Sequence, residues 1–539
     1  MKKIIIILSL LLIGVTAVTW LYFKNLTATG FSNENVFKVI PKDASIVFEY
    51  KNEDSFYDIF KDFSLFGEVL GRNNVEHLTA LKQIFVDDAT ISSAFKKSDL
   101  FFSLHQTEKS NAGILMVAPF SQEANFNSEE LLNNLKGKFK LSNDADPIQP
   151  LYQLAFNNNA NFYFIIYKSI FIGSFDKLLV NRSKDLILSG QENNTFKIDF
   201  KSARNKNSIA NLYLNFSKLP DFINNFSDKK NPSETFALKS FDASASLNIN
   251  YQSRAFMFSG ITTVNPNAIN YVNLFLEQEP GNNVLKSILP FDVASYSFYY
   301  VSDFKKFKQG LNHLFEFRKE SEKLKKQLNN IAQRHSINIE KELMPVLGNE
   351  FGVITVASGD KIGILKTKNA NRLSFLLSTI STESGENIRH FDDSFLLYSF
   401  LGDPFKTFQR PYYLLIDNYL IVANNIAALR NFQKNYSNQN LLNRTDKNID
   451  FQQYLSNQGN IFYFVHNSNA KGIIKSLLSR PAYKDFKSDD FNWKNIYGLS
   501  IQFSADKDKF FTNLYMSKIP ESENLLPSID SVLVDSLSK

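Results

Sequence analysis

The sequence predicts an α+β fold in which a mostly antiparallel sheet unit with interspersed helices occurs twice, preceded by one N-terminal transmembrane helix. Three observations support this fold class. Among the 539 residues, 52 Phe and 22 Tyr favour pleated, half-buried strands. Most apolar runs are separated by short turns, which join antiparallel strands. Similar blocks of sequence also recur at an interval of 249 residues, as from Pro41 to Pro290.

The composition is that of a globular protein with more than one core. Hydrophobic residues make up 44% and charged residues 21% of the chain, and Gly (20) and Pro (15) are scarce. Because 60 Lys and Arg nearly balance 54 Asp and Glu, the charge gives no indication of a nucleic-acid partner. Cysteine is absent, which excludes disulfides, zinc–thiolate sites, thiol nucleophiles and lipidation of an N-terminal cysteine.

The chain begins with a predicted membrane anchor. After a cytoplasmic stub, Met1 to Lys3, an uncharged run of 20 residues extends from Ile4 to Phe23, long enough to span a bilayer. The preceding lysines, and Trp20 and Tyr22 at the far end, predict a single-pass inner-membrane protein with its C-terminal bulk in the periplasm. The alternative is a cleaved signal peptide with small residues at Val15 to Ala17, followed by secretion. The apolar run continues past that position, which favours the anchor.

The exported part divides into two repeats. A linker covers residues 24–40, and the first α+β repeat covers residues 41–265. A connector at residues 266–289 leads to the second repeat, residues 290–517, and a tail covers residues 518–539. Each repeat opens with a Pro-x-Asp turn followed by a strand-like run. Asp43 and Asp292 hold equivalent places in that opening, where we interpret them as turn residues.

Further blocks follow in the same order in both repeats. They are Gly113 to Leu115 with Gly363 to Leu365, Ile165 to Ile172 with Leu414 to Ile421, Leu212 to Leu214 with Phe462 to Phe464, and a closing pair of alternating runs in each. The second of these blocks reads as a β-hairpin that leads into a helix. Together the blocks predict a tandem duplication, whereas the alternative is coincidental periodicity in an Ile-, Phe- and Asn-rich chain. The sequence leaves open whether the repeats form separate domains or one continuous sheet.

One long helix is predicted from Phe304 to Ser336, because this stretch has no Pro and only Gly310. Its middle is dense in Lys and Glu, which is typical of a solvated face. A lever or partner-binding helix is the functional alternative.

The search for chemistry predicts no catalytic, cofactor-binding or metal-ligating residue. No two histidines have the spacing of a zinc motif; they are His77, His105, His313, His335, His390 and His466. Adjacent carboxylates on a strand point apart, so we interpret three pairs as turn or helix-cap residues: Asp87-Asp88, Asp392-Asp393 and Asp489-Asp490. Nucleophile-elbow, phosphate-loop and dinucleotide signatures are missing.

The Pro-x-Asp-Ala-Ser opening at Pro41 and the hairpin–helix at Ile416 to Asn425 resemble a family of uncharacterised, membrane-anchored envelope proteins of Bacteroidota. That family is defined only by a domain of unknown function. The resemblance would cover about residues 41–517 and implies an anchored, exported protein. It brings no catalytic residues.

Three functions remain open from the sequence. The first is a non-enzymatic binding or scaffold protein of the cell envelope, with an envelope protein as partner. The second is a carrier or binder of a lipid or other amphiphile, suggested by the many Phe residues. The third is a hydrolase whose catalytic residues are scattered along the chain, since such residues need only be close in space.

Overall fold

The computed structural model describes residues 35–51, 79, 81, 87–95, 98–107, 112–120, 128–144, 146–155, 161–190, 196, 208, 210–228, 240–252, 255–488 and 493–519. The predicted anchor at residues 4–23, most of the linker and most of the tail lie outside these residues. No helix in the described ranges combines the length and apolar character needed to cross a bilayer.

The described strands are short to medium in length, and some, such as Ile170–Ser174, are buried along their whole length. They are β1 (Ile46–Lys51), β2 (Asp99–Gln106), β3 (Ala112–Pro119), β4 (Lys140–Asn143), β5 (Tyr152–Ala155), β6 (Asn161–Tyr167), β7 (Ile170–Ser174), β8 (Ala210–Asn215), β9 (Ala243–Gln252), β10 (Ala255–Val264), β11 (Gly281–Asn282), β12 (Val293–Tyr300), β13 (Leu347–Val356), β14 (Lys361–Thr367), β15 (Ser381–Gly385), β16 (Ile388–Phe391), β17 (Tyr412–Ile416), β18 (Tyr419–Ala423), β19 (Gln458–Gly459), β20 (Ile461–His466), β21 (Ile496–Asp506) and β22 (Lys509–Lys518).

Residues 35–39 form a helical segment before β1, and the α-helices with defined bounds lie between later strands. They are α1 (Ala89–Ser92), α2 (Ser128–Lys138), α3 (Lys177–Leu188), α4 (Leu219–Asn224), α5 (Phe304–Phe317), α6 (Ser321–His335), α7 (Ile339–Leu343), α8 (Ala370–Ser378), α9 (Leu396–Leu401), α10 (Ile426–Ser437), α11 (Asp446–Gln452), α12 (Asn467–Leu477) and α13 (Arg480–Lys487). Short 3₁₀ helices occur at Ser93–Phe95, Val272–Phe275, Leu285–Ile288, Met344–Val346, Asp403–Phe405, Leu442–Arg444 and Trp493–Asn495.

The predicted α+β class with a largely antiparallel sheet is confirmed. Every pairing among the described strands is antiparallel, and β11 and β19 form a separate two-stranded sheet. The large sheet runs from one edge to the other in the order β4-β5-β6-β7-β3-β2-β1-β8-β9-β10-β22-β21-β20-β12-β13-β14-β18-β17-β16-β15.

When each half of this sheet is followed outward from the centre, its strands occur in the same chain order as those of the other half. β10 and β22 occupy the centre and pair with each other, with Ser259 opposite Asn513. The sheet therefore continues without interruption from one half into the other.

Helices and loops pack on both faces of the sheet. Alternate residues of β1 point to opposite sides, so Val47 joins one hydrophobic cluster and Tyr50 another. The largest cluster crosses the centre of the sheet. In it, the ring of Phe241 lies 6.0 Å from that of Phe503 and 6.4 Å from that of Phe510.

The predicted hairpin–helix is present in both halves, as β6, β7 and α3 and as β17, β18 and α10. Each hairpin turn begins with a residue of positive φ, Lys168 at 52° and Asp417 at 48°. Each helix then begins after a side chain that caps its free N–H groups, Asp176 or Asn425.

Two details of the sequence prediction are wrong. The helix predicted from Phe304 to Ser336 is two helices, α5 and α6, because Lys319 between them has a φ of 59°. The matched Gly113 and Gly363 triplets lie in equivalent strands but out of register. Strand pairing instead matches Val117 with Ile364, since these two pair with Ile172 and Ile421 of the hairpins. A shift of three residues along a strand puts a side chain on the opposite face.

Candidate functional site

The structure brings four polar side chains together in the first half. Asp43 lies in the turn before β1, and Arg182 lies on α3. Ser103 and His105 are two residues apart on β2, so their side chains point to the same face. Three separate elements therefore supply the cluster.

The four side chains form a continuous chain of hydrogen bonds. His105 Nδ1 lies 3.2 Å from Asp43 Oδ1, and His105 Nε2 lies 2.7 Å from Ser103 Oγ. Arg182 Nη1 donates to Asp43 Oδ2 at 3.1 Å and to the carbonyl oxygen of Gln106, also at 3.1 Å. Arg182 and His105 thus hold the two oxygens of one carboxylate.

The order Ser–His–Asp is that of a hydrolase triad, but the exposure is reversed. A triad needs its serine at the surface and its aspartate behind the histidine. Here Ser103 and His105 are 0% exposed, whereas the Asp43 side chain is 37% exposed. Ser103 Oγ cannot reach a substrate carbonyl. The arrangement therefore orients Asp43 rather than activating Ser103.

A pocket of about 710 Å³ opens in front of Asp43 and Arg182. Seven of its nine lining residues are polar or charged, and the charged ones carry both signs. The lining residues are Pro41, Lys42, Asp43, Gln106, Thr107, Arg182, Asp185, Leu186 and Ser189. Nε and Nη2 of Arg182 have no hydrogen-bond partner among the residues that the structure describes. Planar guanidinium groups with free N–H donors bind carboxylate and phosphate oxygens.

The neighbours of Asp43 keep its carboxylate ionised. Burial raises the pKa of Asp43, but the hydrogen bond from His105 and the attraction of His105 and Arg182 outweigh burial and lower this pKa below its ordinary value. At neutral pH the pocket therefore presents a carboxylate and a guanidinium side by side.

The second half lacks this cluster. Strand pairing places Ile354 where Ser103 lies, and Val356 follows Ile354 by two residues as His105 follows Ser103. Asn431 stands at the α10 position that matches Arg182 on α3, six residues after the cap. Asp292 remains, but its Oδ1 is buried without a hydrogen-bond partner among the described residues. Burial raises its pKa. The pKa values of the two equivalent aspartates, Asp43 and Asp292, are thus shifted in opposite directions.

The other residues considered in the sequence are dispersed. His390 Nε2 lies 2.9 Å from the carbonyl oxygen of Arg410, and His466 caps α12 by accepting from Asn469 N–H. Asp88 caps α1, as predicted. Asp393 pairs with Arg334 at 3.0 Å. His77 and Asp489-Asp490 lie outside the described residues, within which no group of three or more His, Asp or Glu has the geometry of a metal site.

The sequence analysis missed the cluster because it treated His105 and Asp43 separately. The informative signal was the difference between the repeats. Val356 and Ile354 are ordinary core residues of a strand, whereas His105 and Ser103 at the matching positions are polar. Finding this requires the strand register, which the sequence blocks gave only approximately.

In comparisons with known proteins, no family model, no curated protein and no solved structure matches the chain.

Proposed function

We propose that this chain is a non-enzymatic binding protein of the cell envelope, anchored by Ile4 to Phe23, whose first half binds a partner at the pocket beside Asp43 and Arg182. The partner presents an acidic group to Arg182. Export to the periplasm and the kinship with envelope proteins suggested by the Pro-x-Asp opening are parts of this proposal.

The proposal includes a tandem duplication in which only one copy keeps the binding site. Ten strands of each half follow the same order, and the antiparallel pairing of β10 with β22 is the arrangement that a two-fold relation between the halves produces. Duplicated units commonly diverge at a site while retaining the core. Asn431, Ile354 and Val356 in place of Arg182, Ser103 and His105 are consistent with such divergence.

The observation that carries the proposal is the exposed Asp43–Arg182 pair, supported from behind by buried His105 and Ser103. Burying polar side chains removes their hydrogen bonds to water, and the bonds of His105 to Ser103 and to Asp43 replace them here. The first half keeps this polar pair where the second half has apolar residues. A binding role for the pocket explains that retention.

The two other functions receive less support. The serine of the Ser–His–Asp chain is inaccessible, which argues against a hydrolase that uses it. The Phe side chains that suggested an amphiphile carrier include many that fill the hydrophobic clusters. Phe275 and Phe351, for example, both lie against the ring of Phe307. These side chains contribute packing rather than a surface for lipid.

Site-specific crosslinking tests the proposal. A photoreactive amino acid replaces Ser189, which lines the pocket and caps the end of α3, in the full-length chain in its native envelope. The matched control replaces Asn438, the corresponding cap of α10. We expect a discrete crosslinked partner from position 189 only, and we expect Arg182→Ala to reduce the yield by at least about tenfold, the effect of losing a charged hydrogen bond.

Equal crosslinking from both positions, or an undiminished yield in the Arg182→Ala chain, would contradict the proposal. Asn431→Ala is the control for the helix substitution, because Asn431 occupies the equivalent position on α10.

A further inference from the structure

The helix α13 stands out because it buries none of its residues. It follows α12 after a sharp break at Leu478 and Ser479, and it packs loosely against the 3₁₀ helix at Trp493–Asn495. Because its residues are exposed or at most half-buried, α13 leaves much of its surface accessible to a partner.

One face of α13 is basic. Arg480, Lys484 and Lys487 recur at helical spacing and are all exposed. Lys471 and Lys475 of α12 are also exposed. None of these five cations forms an ion pair with another residue in the described part of the chain. On the helix itself, only Asp485 carries the opposite charge.

The neighbouring face of α13 is aromatic. Tyr483 and Phe486 stack at 6.3 Å between ring centroids, and Phe486 stacks on Trp493 at 6.0 Å. All three rings are half-buried, and Lys487 Nζ lies 5.7 Å from the Tyr483 ring. Basic residues beside Trp, Tyr and Phe rings on one surface are typical of segments that lie in the interface of an anionic bilayer.

The position of α13 agrees with a membrane as its partner. Ser479 N–H, just before α13, donates to the carbonyl oxygen of Phe226 at 2.8 Å. Next to Phe226, Asn225 Oδ1 accepts from Gln106 Nε2 at 3.2 Å, and Gln106 lines the pocket. Pro41, at the start of the first repeat, lines the same pocket.

The predicted anchor therefore precedes a part of the chain, at Pro41, that lies near the pocket and the start of α13. The eleven residues 24–34 between anchor and first described helix can span at most about 40 Å.

We infer that the surface formed by α13, Lys471, Lys475 and Trp493 docks onto the anionic lipid headgroups of the membrane that holds the anchor. The inference rests on the proposed anchoring. The cations would contact phosphate groups, and the three aromatic rings would lie at the level of the headgroups. Docking would hold the pocket at a defined height above the bilayer.

Tryptophan fluorescence tests the docking in the full-length chain. The protein has two Trp residues, so Trp20→Phe leaves Trp493 as the single reporter. This chain is reconstituted into vesicles of phosphatidylcholine with brominated acyl chains, with or without phosphatidylglycerol. We expect Trp493 quenching to rise at least about twofold with phosphatidylglycerol and to fall again in high salt, because salt screens lysine–phosphate attraction.

Charge reversal identifies the surface. Arg480→Glu, Lys484→Glu and Lys487→Glu together should abolish the phosphatidylglycerol-dependent quenching. The matched control reverses three exposed lysines of α5 and α6, Lys305, Lys306 and Lys326, and should leave it unchanged. Circular dichroism of both triple variants confirms that each chain is folded.

Alkaline extraction separates this inference from the anchoring proposal. A chain that resists extraction but shows no lipid-dependent quenching overturns the docking alone. A chain that is extracted yet still shows the quenching overturns the anchor and leaves the docking intact. Equal loss of quenching in both triple variants, or capture of an acidic protein by α13 without lipid dependence, also overturns the docking.

Discussion

At the residue scale, Asp43 and Asp292 show how neighbours decide what one side chain does. Both follow a proline in equivalent turns, yet Asp43 has His105 and Arg182 as partners and Asp292 has neither. As a result the pKa of Asp43 is lowered and that of Asp292 is raised by burial. The two positions therefore make opposite contributions to stability above the ordinary carboxyl pKa.

Asp43→Ala should lower the free energy of unfolding by about 1–3 kcal/mol at pH 7, because it leaves His105 Nδ1 buried without its acceptor. A lowered pKa contributes stability that is present above the unfolded value and is lost as pH falls through the folded value. The deficit should therefore shrink below the ordinary pKa of 3.8. Urea unfolding across the pH range measures it.

Asp292→Ala is the matched control and should cost nothing at pH 7. Its pKa is raised, so ionisation destabilises the fold there and removing the carboxyl relieves that cost. A similar loss from both substitutions would show that the partners of Asp43 contribute little.

At the element scale, ion pairs of Arg318 and Glu320 stabilise the junction between α5 and α6. Arg318 at the end of α5 forms a two-pronged pair with Asp403, and its Nη2 lies 2.9 Å from Oδ2. Glu320 accepts from Tyr398 and, at 2.8 Å, from Lys406. The charged middle that suggested a solvated face thus includes residues that bind the α9 region.

Arg318→Ala should destabilise the fold by about 3 kcal/mol, because it leaves Asp403 mostly buried without its partner. The two side chains are only 18% and 15% exposed. Urea unfolding measures the loss, and hydrogen exchange at the α5–α6 junction locates it.

Lys325→Ala is the control. Its contact with Glu316 is 4.0 Å long and well exposed, so the expected loss is below about 0.5 kcal/mol. Comparable losses in both variants would rule out a special role for the junction.

At the scale of the whole molecule, the central pair β10–β22 makes the two halves one structure. The largest hydrophobic cluster contains residues from both, including Phe216 and Phe241 of the first half and Phe503 and Phe510 of the second. The ring of Phe216 lies 5.7 Å from that of Phe503. Unfolding one half would expose the core of the other.

Phe503→Ala should cost about 3–5 kcal/mol and should increase hydrogen exchange in β8 and β9 of the first half, because the cavity opens on both sides of the centre. Phe451→Ala provides the control, since Phe451 is equally buried but contacts Phe464, Tyr497 and Tyr515 of the second half. Its effect should remain in the second half. If neither variant raises hydrogen exchange in β8 and β9, the two halves unfold independently.

Sequence patterns predicted the local structures that depend on residues close together along the chain. The hairpin–helix units and the cap at Asp88 follow from alternation, turn chemistry and capping, which act over a few residues. The break at Lys319 was missed because no Pro or Gly marks it. The break instead accompanies contacts made by Arg318 and Glu320 with residues some 80 positions later.

The sequence by itself determined the α+β class and the antiparallel character of the sheet, because strand periodicity and short turns are local properties. Only the tertiary structure decided that a single sheet runs through both halves, since the pairing of β10 with β22 joins segments some 250 residues apart. It also decided the candidate site. Asp43, His105 and Arg182 come from distant elements, and hydrogen bonds between them form only after the chain has brought those elements together.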